Sequence, residues 1–417
     1  MARDKNLYGI GSLARFIDAE NFGVLLNNIN AKYNKAIWKK YAKWGIPTDD
    51  REWKQGTKDT PILVRASVLG THSPKPQRNT QGWGMYTGTL PKIGHGFSID
   101  QDDFIELRKL AKLSNLTFGE SLIDSFVYNS TKMLGGIHTE LTYMVMQAMS
   151  TGEINDVPVD GVSYDFKFPI PDENFMTVTE DWFKWVTKDG KRVLVPNEKA
   201  DVIQDLMDLQ EYYNDTLNLG LDHWKVSKKL LRMILSHPSV KAAFLSSKYG
   251  NNYMNIHIEN DETTISYDPK IKVVRSEILA WMNQELAIWP FEEIDYKSRH
   301  EEDGKPVADD PAFDEHNLVA STTAFRPFEM KCMNSILKDR MGWEGQTAAD
   351  LYSLVEDRIV VLNSWEERPN LKNTVDCELF AGPVFNNVRE HGIVKVWKDD
   401  EGDSSDSGTT SDGSGSE

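Results

Sequence analysis

The sequence predicts an α+β fold in which a second domain is inserted into the first. Three observations lead to this prediction. Residues 60–100 form a long extended stretch, with β-prone runs at 62–69 and 85–90 separated by proline- and glycine-rich turns. An amphipathic helix of about eight turns follows. Helices and strands then alternate before a strand-rich C-terminal part, which we expect to return to the first domain.

The chain begins with a segment that we interpret as an N-terminal arm, residues 1–56. Apolar residues recur at three- and four-residue spacing from Phe22 to Tyr41, which predicts a helix, and Gly-Ile-Pro at 45–47 ends it. Three tryptophans then lie close together in a polar setting, and exposed tryptophans more often mark a contact surface than a private core. The arm residues expected at an interface are Trp38, Trp44 and Trp53.

Residues 57–100 are predicted to be an extended two-stranded loop. A hairpin of this length has few means of burying its own apolar side chains, so it is stable only if it lies on another surface. We expect that surface to belong to a second copy of the same chain. The side chains expected to be buried there are Trp83, Met85, Tyr86, Leu90 and Ile93.

A long helix is predicted next, within residues 101–195. Asp100 suits the N-cap and Asp103 the first turn, because carboxylates stabilise the positive end of a helix. After a polar break at 114–115 the helical period continues to Gly152, the predicted C-cap. A helix of this length spans on the order of 45 Å and would serve as a structural spine. Alternating apolar residues then predict a strand at 159–168.

Residues 196–340 are predicted to form an inserted α/β domain, because strand-like and helical patterns alternate there. Its expected helices cover residues 202–213, 228–235, 239–245, 277–286 and 328–337. Its expected strands cover residues 224–227, 253–258, 271–274, 287–295 and 317–322. Residues 341–398 are expected to return strands to the first domain, at 359–362, 375–381 and 392–397.

Composition narrows the class of protein. The 417 residues carry a net charge of −17, which argues against a dedicated DNA- or RNA-binding domain. Residues 399–417 hold seven acids and no base, and their glycine and serine content predicts a disordered, solvated tail. The two cysteines, Cys332 and Cys377, are far apart and fit a reducing compartment. We find no secretory signal and no membrane-spanning run in the sequence.

The sequence contains no recognisable catalytic motif. A phosphate-binding GxxxxGK[ST] loop and a GxSxG nucleophile elbow are both absent, and Gly9–Ala14 matches a dinucleotide fingerprint only superficially. His138 lacks the HExxH spacing of a zinc site and is interpreted as a packing or surface residue of the long helix. The acidic cluster that begins at His300 is interpreted as a solvated hairpin tip. We therefore predict a protein that is not an enzyme and needs no cofactor or metal.

Three stretches of the sequence resemble the major capsid proteins of tailed bacteriophages. They are TPILVRASVLGTHSPKP with TLPKIGHGFSIDQDDF around the extended loop, the pattern from Leu206 to Leu245, and VVLNSWEERP at 360–369 followed by FAGPVFNNVREHGIVKV. The order of elements is similar to that of the Hong Kong 97-type fold, as in lambda-type and crAss-like phage capsid proteins. This similarity in layout extends to about residue 398.

The resemblance implies a shell subunit. Residues 101–195 and 341–398 would form the peripheral domain, and 196–340 the axial domain. The extended loop and the arm would contact neighbouring subunits, in hexamers and pentamers of an icosahedral head that encloses double-stranded DNA without binding it specifically. The expected partners are the chain itself and separate scaffolding, portal and decoration proteins, without a membrane. The expected location is the virion, after assembly and procapsid maturation in the cytoplasm of a host bacterium.

Two other classes of protein stay open at this point. Another structural or adaptor protein of the virion would also expose arms and loops. An α/β hydrolase or nucleotide-binding enzyme built on residues 200–330 would need a glycine-rich turn between a strand and a helix, and the sequence shows none.

Overall fold

The computed structural model describes residues 19–58, 83–113, 118–156, 163–249, 254–259, 262–267, 274–302, 305–308, 311–322, 326–335, 350–366 and 372–398. The chain divides into two compact units, each discontinuous in sequence. The first comprises Met1–Ile170, Tyr296–Phe313 and Thr323–Arg389. The second comprises Pro171–Asp295, Asp314–Thr322 and Glu390–Glu417.

The helices and strands are numbered in chain order. The helices are α1 (Ala19–Asn30), α2 (Trp38–Tyr41), α3 (Gln101–Leu113), α4 (Phe118–Thr151), α5 (Val202–Glu211), α6 (Lys228–Ile234), α7 (Pro238–Tyr249) and α8 (Arg275–Gln284). The strands are β1 (Ala42–Trp44), β2 (Glu52–Lys58), β3 (Trp83–Thr89), β4 (Lys92–Ile99), β5 (Glu153–Asp156), β6 (Tyr164–Lys167), β7 (Phe175–Thr177), β8 (Phe183–Lys188), β9 (Lys191–Pro196), β10 (His223–Ser227), β11 (Met254–Glu259), β12 (Glu262–Tyr267), β13 (Phe291–Ile294), β14 (Arg299–Glu302), β15 (Lys305–Ala308), β16 (Asn317–Ser321), β17 (Phe328–Met333), β18 (Asp350–Val355), β19 (Ile359–Glu366), β20 (Lys372–Phe385) and β21 (Gly392–Lys395).

The first unit is built on a six-stranded sheet. Its order is β1-β17-β20-β19-β18, and β4 also pairs with β20. The central strand β20 is long enough to pair with β19 and β4 along its first half and with β17 along its second half. Helix α4 packs on β4 and β20. Its buried stripe includes Leu134, Ile137 and Leu141, at the three- and four-residue spacing of one helix face.

Helix α4 ends where the sequence predicts. The helix has 34 residues and therefore spans about 51 Å. Gly152 has a φ of 76°, and its N–H donates to the carbonyl of Ala148 at 3.1 Å. A residue with a side chain pays a penalty in this left-handed conformation, so glycine is the natural stop signal here. The predicted polar break at 114–115 lies outside the described residues.

The second unit is built on a five-stranded sheet of order β13-β10-β16-β21-β7. Its core is one hydrophobic cluster that contains Trp182, Trp224 and Trp397, none of them more than 2% exposed. The predicted helices at 202–213, 228–235, 239–245 and 277–286 are confirmed as α5, α6, α7 and α8. Strands are confirmed at 224–227 and 317–322, at 254–258 of the predicted 253–258, and in part at 287–295. Residue 253 lies outside the described residues. The strand expected at 271–274 lies outside the described residues, except for Val274.

The predicted helix at 328–337 is wrong, because Phe328–Met333 is strand β17. Phe328, Met330 and Cys332 are buried and alternate with partly exposed residues, which is the two-residue period of a strand. The strand lies between β1 and β20 in the sheet of the first unit. In the sequence, too, apolar residues alternate with charged residues at 328–332, and this two-residue period favours a strand over the predicted helix.

The extended loop expected at 57–100 ends earlier than predicted. Residues 52–58 and 83–89 pair as β2 and β3, but from Lys92 to Ile99 the chain is strand β4 of the main sheet. Trp53, which the sequence assigned to the arm, lies in β2. The β-prone run at 62–69 lies outside the described residues, as do residues 1–18 of the arm and residues 399–417 of the tail.

The division into units also differs from the boundaries predicted at 196–340 and 341–398. The second unit begins at Pro171, because Trp182 and Phe183 belong to its core. Strand β21 belongs there as well, since it pairs with β16 and β7. Strand β17, predicted to be in the inserted domain, belongs to the first unit. Within the described part of the chain, no helix is long and apolar enough to span a membrane.

Candidate assembly interface

Strands β2 and β3 form a two-stranded ribbon whose base is held by aromatic side chains. The strands are antiparallel, from the pair Glu52–Thr89 at the base to Lys58–Trp83 at the outer end. The ring of Trp53 lies 5.3 Å from the ring of Tyr86 and 5.3 Å from that of Phe166. Edge-to-face contacts of this kind add stabilisation beyond area burial. The ribbon is therefore fixed to its own subunit at one end.

A hydrogen bond fixes the same end to the main sheet. The hydroxyl of Tyr86 donates to the carbonyl of Phe385, the last residue of β20, at 2.8 Å. Burial raises the pKa of Tyr86 far above its ordinary value, so the hydroxyl stays protonated and keeps donating.

The outer part of the ribbon combines exposed residues with one buried side chain, that of Thr57. Met85 is 68% exposed and lies opposite Gly56, which is exposed as well. A flexible thioether is an apolar side chain that can adapt its shape to a contact. Trp83 is paired with Lys58 at the outer end of the described ribbon. Of the predicted loop contacts, Met85 is thus an accessible side chain, and Tyr86 is half-buried at the base.

Two predicted loop contacts are already buried inside the subunit. Leu90 is 1% exposed and Ile93 is 7% exposed. Leu90 packs with Trp53 and Val384 in a small core cluster, and Ile93 is in strand β4, opposite Leu379. The expectation that they wait for a neighbouring subunit is wrong, because the chain turns back onto its own sheet at Leu90-Pro91.

The tryptophans of the arm are also less exposed than the sequence suggests. Trp38 is 0% exposed and Trp53 is 5% exposed, which corrects the expectation of an open aromatic surface. Trp44 is half-buried. The described part of the arm, α1 to β1, packs on α4 and β18 of its own subunit. An interface role for these tryptophans stays a prediction.

The arm is attached through a partly buried polar network that the sequence did not reveal. Trp38 donates its indole N–H to Nδ1 of His138 on α4 at 3.1 Å, and Nε2 of His138 contacts Oδ1 of Asn30 at 2.8 Å. The Asn30 amide donates to Oε1 of Glu356 at 2.7 Å. Lys39 contacts the same oxygen at 2.6 Å, and Trp44 donates to Oε2 at 2.7 Å. The network thus joins three sequence-distant segments, which are residues 30–44, His138 and Glu356.

The charges of this network are set by burial and by its own hydrogen bonds. Burial lowers the pKa of His138 to about 4, and the nearby charge of Lys39 acts in the same direction. The ring is therefore neutral near pH 7. Burial alone would raise the pKa of Glu356, but the hydrogen bonds from Lys39, Trp44 and Asn30 outweigh it and the pKa is lowered. A neutral imidazole and an ionised carboxylate are the forms that this geometry needs.

A groove of about 460 Å³ along β4, β19 and β20 is a candidate small-molecule site among the described residues. Lys92 at its rim is paired with Glu378 at 2.7 Å. Burial raises the pKa of the Cys377 thiol to about 12, so the thiolate that a nucleophile requires is not formed. Burial raises the pKa of Cys332 as well. No group of three or more His, Cys, Asp or Glu among the described residues is arranged to hold a metal ion.

Neither a protein-family model nor a curated protein sequence matches the chain. Solved structures do. The capsid protein described for a prophage of Escherichia coli CFT073 matches with a TM-score of 0.51 at 12% identity, over 91% of this chain and 99% of that one. A phage-related protein of Bordetella bronchiseptica RB50 matches with a TM-score of 0.42 at 10% identity, over 89% and 96%. The mature capsid of bacteriophage PhiM1 matches with a TM-score of 0.39 at 10% identity, over 86% and 86%.

Of these three comparisons, we use the first to assign the fold, because its TM-score is above one half and it covers both chains almost completely. The chain has a mixed α+β fold of the phage capsid class. More specifically, it has the fold of a phage major capsid protein, as the resemblance in sequence predicts.

Proposed function

We propose that the chain is the major capsid protein of a tailed phage, which self-assembles into hexamers and pentamers around double-stranded DNA. The observation that supports this most is the similarity to a prophage capsid protein over 91% of the chain and 99% of its counterpart. A match of this extent includes residues of both units.

In this proposal the first unit is the peripheral domain of a Hong Kong 97-type subunit, with α4 as its spine, and the second unit is the axial domain. The β2–β3 ribbon is the base of the extended loop. Its outer part, which contains the exposed Met85 and also Trp83, lies on a neighbouring subunit, while Trp53 and Tyr86 hold the base. Repetition of one weak contact in every subunit gives a cooperative shell.

The net charge of −17 supports a shell that encloses DNA without binding it specifically, because like charges repel. Separate scaffolding, portal and decoration proteins would be the partners, the host cytoplasm the place of assembly, and the virion the final location. Another virion protein, such as an adaptor, is the alternative that an assembly experiment separates from this proposal.

Electron microscopy of the purified protein tests the proposal, because closed shells, tubes or hexameric rings are its expected products. A loop-deletion variant serves as the comparison. It replaces residues 59–82 with Asn-Gly, so that a two-residue hairpin turn joins the paired residues Lys58 and Trp83. We expect this variant to keep the unfolding transition of the wild type and to form no shells. A wild type that stays monomeric with every partner supplied would contradict the proposal.

A point substitution distinguishes the ribbon from the rest of the loop. Met85→Asp places a charge in the expected contact, and Met85→Leu keeps it apolar. Because Met85 is 68% exposed, both variants should fold equally well. Shells should form from the Leu variant and fail to form from the Asp variant. Equal assembly of both would remove Met85 from the interface and leave the wider proposal standing.

A further inference from the structure

The β8–β9 hairpin of the second unit stands apart from the sheet beside it. Its strands pair with each other and, within the described residues, with no other strand. Phe183 at its base is buried in the core, but beyond the base most side chains are exposed. Trp185 and Val193 are each 41% exposed. The hairpin therefore offers an accessible surface that its own subunit leaves open.

One face of this hairpin is basic and apolar. Directly opposed residues of two antiparallel strands point to the same side, and every second pair shares a face. The pairs on this face are Lys184–Val195, Val186–Val193 and Lys188–Lys191. We call these six residues the basic face. The three lysines are exposed, and none of them forms an ion pair with another described residue.

The arrangement of the lysines is unfavourable in isolation. Lys188 and Lys191 lie directly opposite each other, and like charges at such positions destabilise a hairpin. The turn between them fixes this register, because Asp189 and Gly190 have φ values of 52° and 73°. The lysines consequently cannot move apart by a shift in pairing. A bound polyanion would remove the repulsion.

The chain itself supplies a polyanion next to the hairpin. The tail, residues 399–417, carries seven acids and no base. The N–H of Lys398 donates to Oδ2 of Asp181 at 3.4 Å, and the N–H of Trp182 donates to the carbonyl of Val396 at 2.9 Å. The rings of Phe183 and Trp397 meet at 5.4 Å. The tail thus begins beside the residues from which β8 starts.

We propose that the tail binds the basic face of the β8–β9 hairpin in its own chain and covers it reversibly. The dimensions agree, since 19 residues with random-coil dimensions would span about 24 Å and a six-residue strand is about 20 Å long. A short tether gives an effective concentration on the order of millimolar, so weak ion pairs suffice. The contact is sensitive to salt, because exposed charges are screened beyond about 8 Å at physiological ionic strength. This inference is independent of the proposed capsid function.

Carbodiimide crosslinking of the full chain, followed by peptide mass spectrometry, tests the proposal. The reagent joins carboxylates to lysines that they touch. We expect links from the tail to concentrate on Lys184, Lys188 and Lys191, at least about fivefold above the exposed lysines Lys54 and Lys167, and to disappear in about 0.5 M salt. Links spread evenly over the exposed lysines, or no links from the tail, would overturn the proposal.

Two further experiments identify what binds the basic face. Mixing isotope-labelled and unlabelled chains separates links within a chain from links between chains, and links found only between chains would overturn the own-chain contact. The second experiment uses a full-length variant in which all seven acids of the tail are replaced by Asn or Gln. Trypsin should then cut after Lys188 and Lys191 several-fold faster than in the wild type. An unchanged rate, or protection of these lysines by duplex DNA but not by the tail, would contradict the proposal.

Discussion

Trp38 and His138 are 100 positions apart in sequence, yet the indole N–H of the first donates to Nδ1 of the second at 3.1 Å. The direction of this bond settles the tautomer. Because Nδ1 accepts, the ring proton is on Nε2, which donates to Oδ1 of Asn30 at 2.8 Å. The Asn30 amide can then donate onward to Glu356. One continuous chain of hydrogen bonds therefore runs from Trp38 through His138 and Asn30 to Glu356, in the turn between β18 and β19.

Removing the first donor tests this network. Trp38→Phe keeps an aromatic ring in the buried position but leaves Nδ1 of His138 without a donor. An unsatisfied buried acceptor costs about 1–3 kcal/mol, to which a small cavity adds. We expect urea unfolding to show a loss of that size in the free energy of unfolding. The matched control is Trp185→Phe, whose side chain is 41% exposed and whose effect should stay within about 0.5 kcal/mol.

Acidification tests the same network through His138. Burial lowers the pKa of His138, and a protonated ring would in addition turn Nδ1 into a donor that faces the Trp38 donor. The pKa falls from 6.5 to about 4 on folding, so the unfolded chain binds the proton first. The free energy of unfolding should therefore decrease as pH falls from 6.5 to 4, by on the order of 3 kcal/mol in total.

His138→Gln should remove this part of the pH dependence. The groups that face His138 are Tyr33, Trp38 and Asn30, with Lys39 and Glu356 near them. Burial also lowers the pKa of His237 in the second unit, so a weaker slope should persist in the variant. An identical slope in the wild type and in the variant would contradict the assignment.

The sequence predicts the long helix, most strands and the class of fold, because these depend on local periodicity and on caps such as Gly152. It does not predict what depends on distant partners. Leu90 and Ile93 have the pattern of an exposed ribbon. Leu90 is buried only by its contacts with Trp53 and Val384, and Ile93 only because β4 pairs with β20. Glu356 sits in a short polar turn, where no local signal marks it as the acceptor for Asn30, Lys39 and Trp44.

Two neighbouring glycine substitutions separate the network from backbone strain. Glu356 and Asp357 have φ values of 51° and 58°, where glycine is favoured over residues with side chains. Asp357→Gly removes strain from an exposed residue and should stabilise by up to about 1 kcal/mol. Glu356→Gly gains the same relief but leaves Lys39 and two further donors without their acceptor, at a cost of about 2–3 kcal/mol. Measured by heat or by urea, the midpoint of unfolding should rise for Asp357→Gly and fall for Glu356→Gly. Shifts of the same sign in the two variants would rule the network out as the dominant effect.

A second glycine pair tests whether the base of the ribbon must be rigid for assembly. A Cβ at Gly88 would lie 2.6 Å from a Trp53 ring carbon and 2.7 Å from a Phe166 ring carbon, whereas a Cβ at Gly56 meets no atom within 4 Å. Gly88→Ala must therefore displace one of two packed rings, at a cost of about 1–3 kcal/mol in the free energy of unfolding, while Gly56→Ala should be neutral within about 0.5 kcal/mol.

Both variants keep Met85, so any difference in assembly between them arises at the base of the ribbon. If the ring cluster aims the ribbon at a neighbouring subunit, Gly88→Ala should slow or abolish shell formation in sedimentation and electron microscopy, and Gly56→Ala should assemble like the wild type. Normal assembly of a destabilised Gly88→Ala variant would show that the ribbon finds its partner without a fixed base.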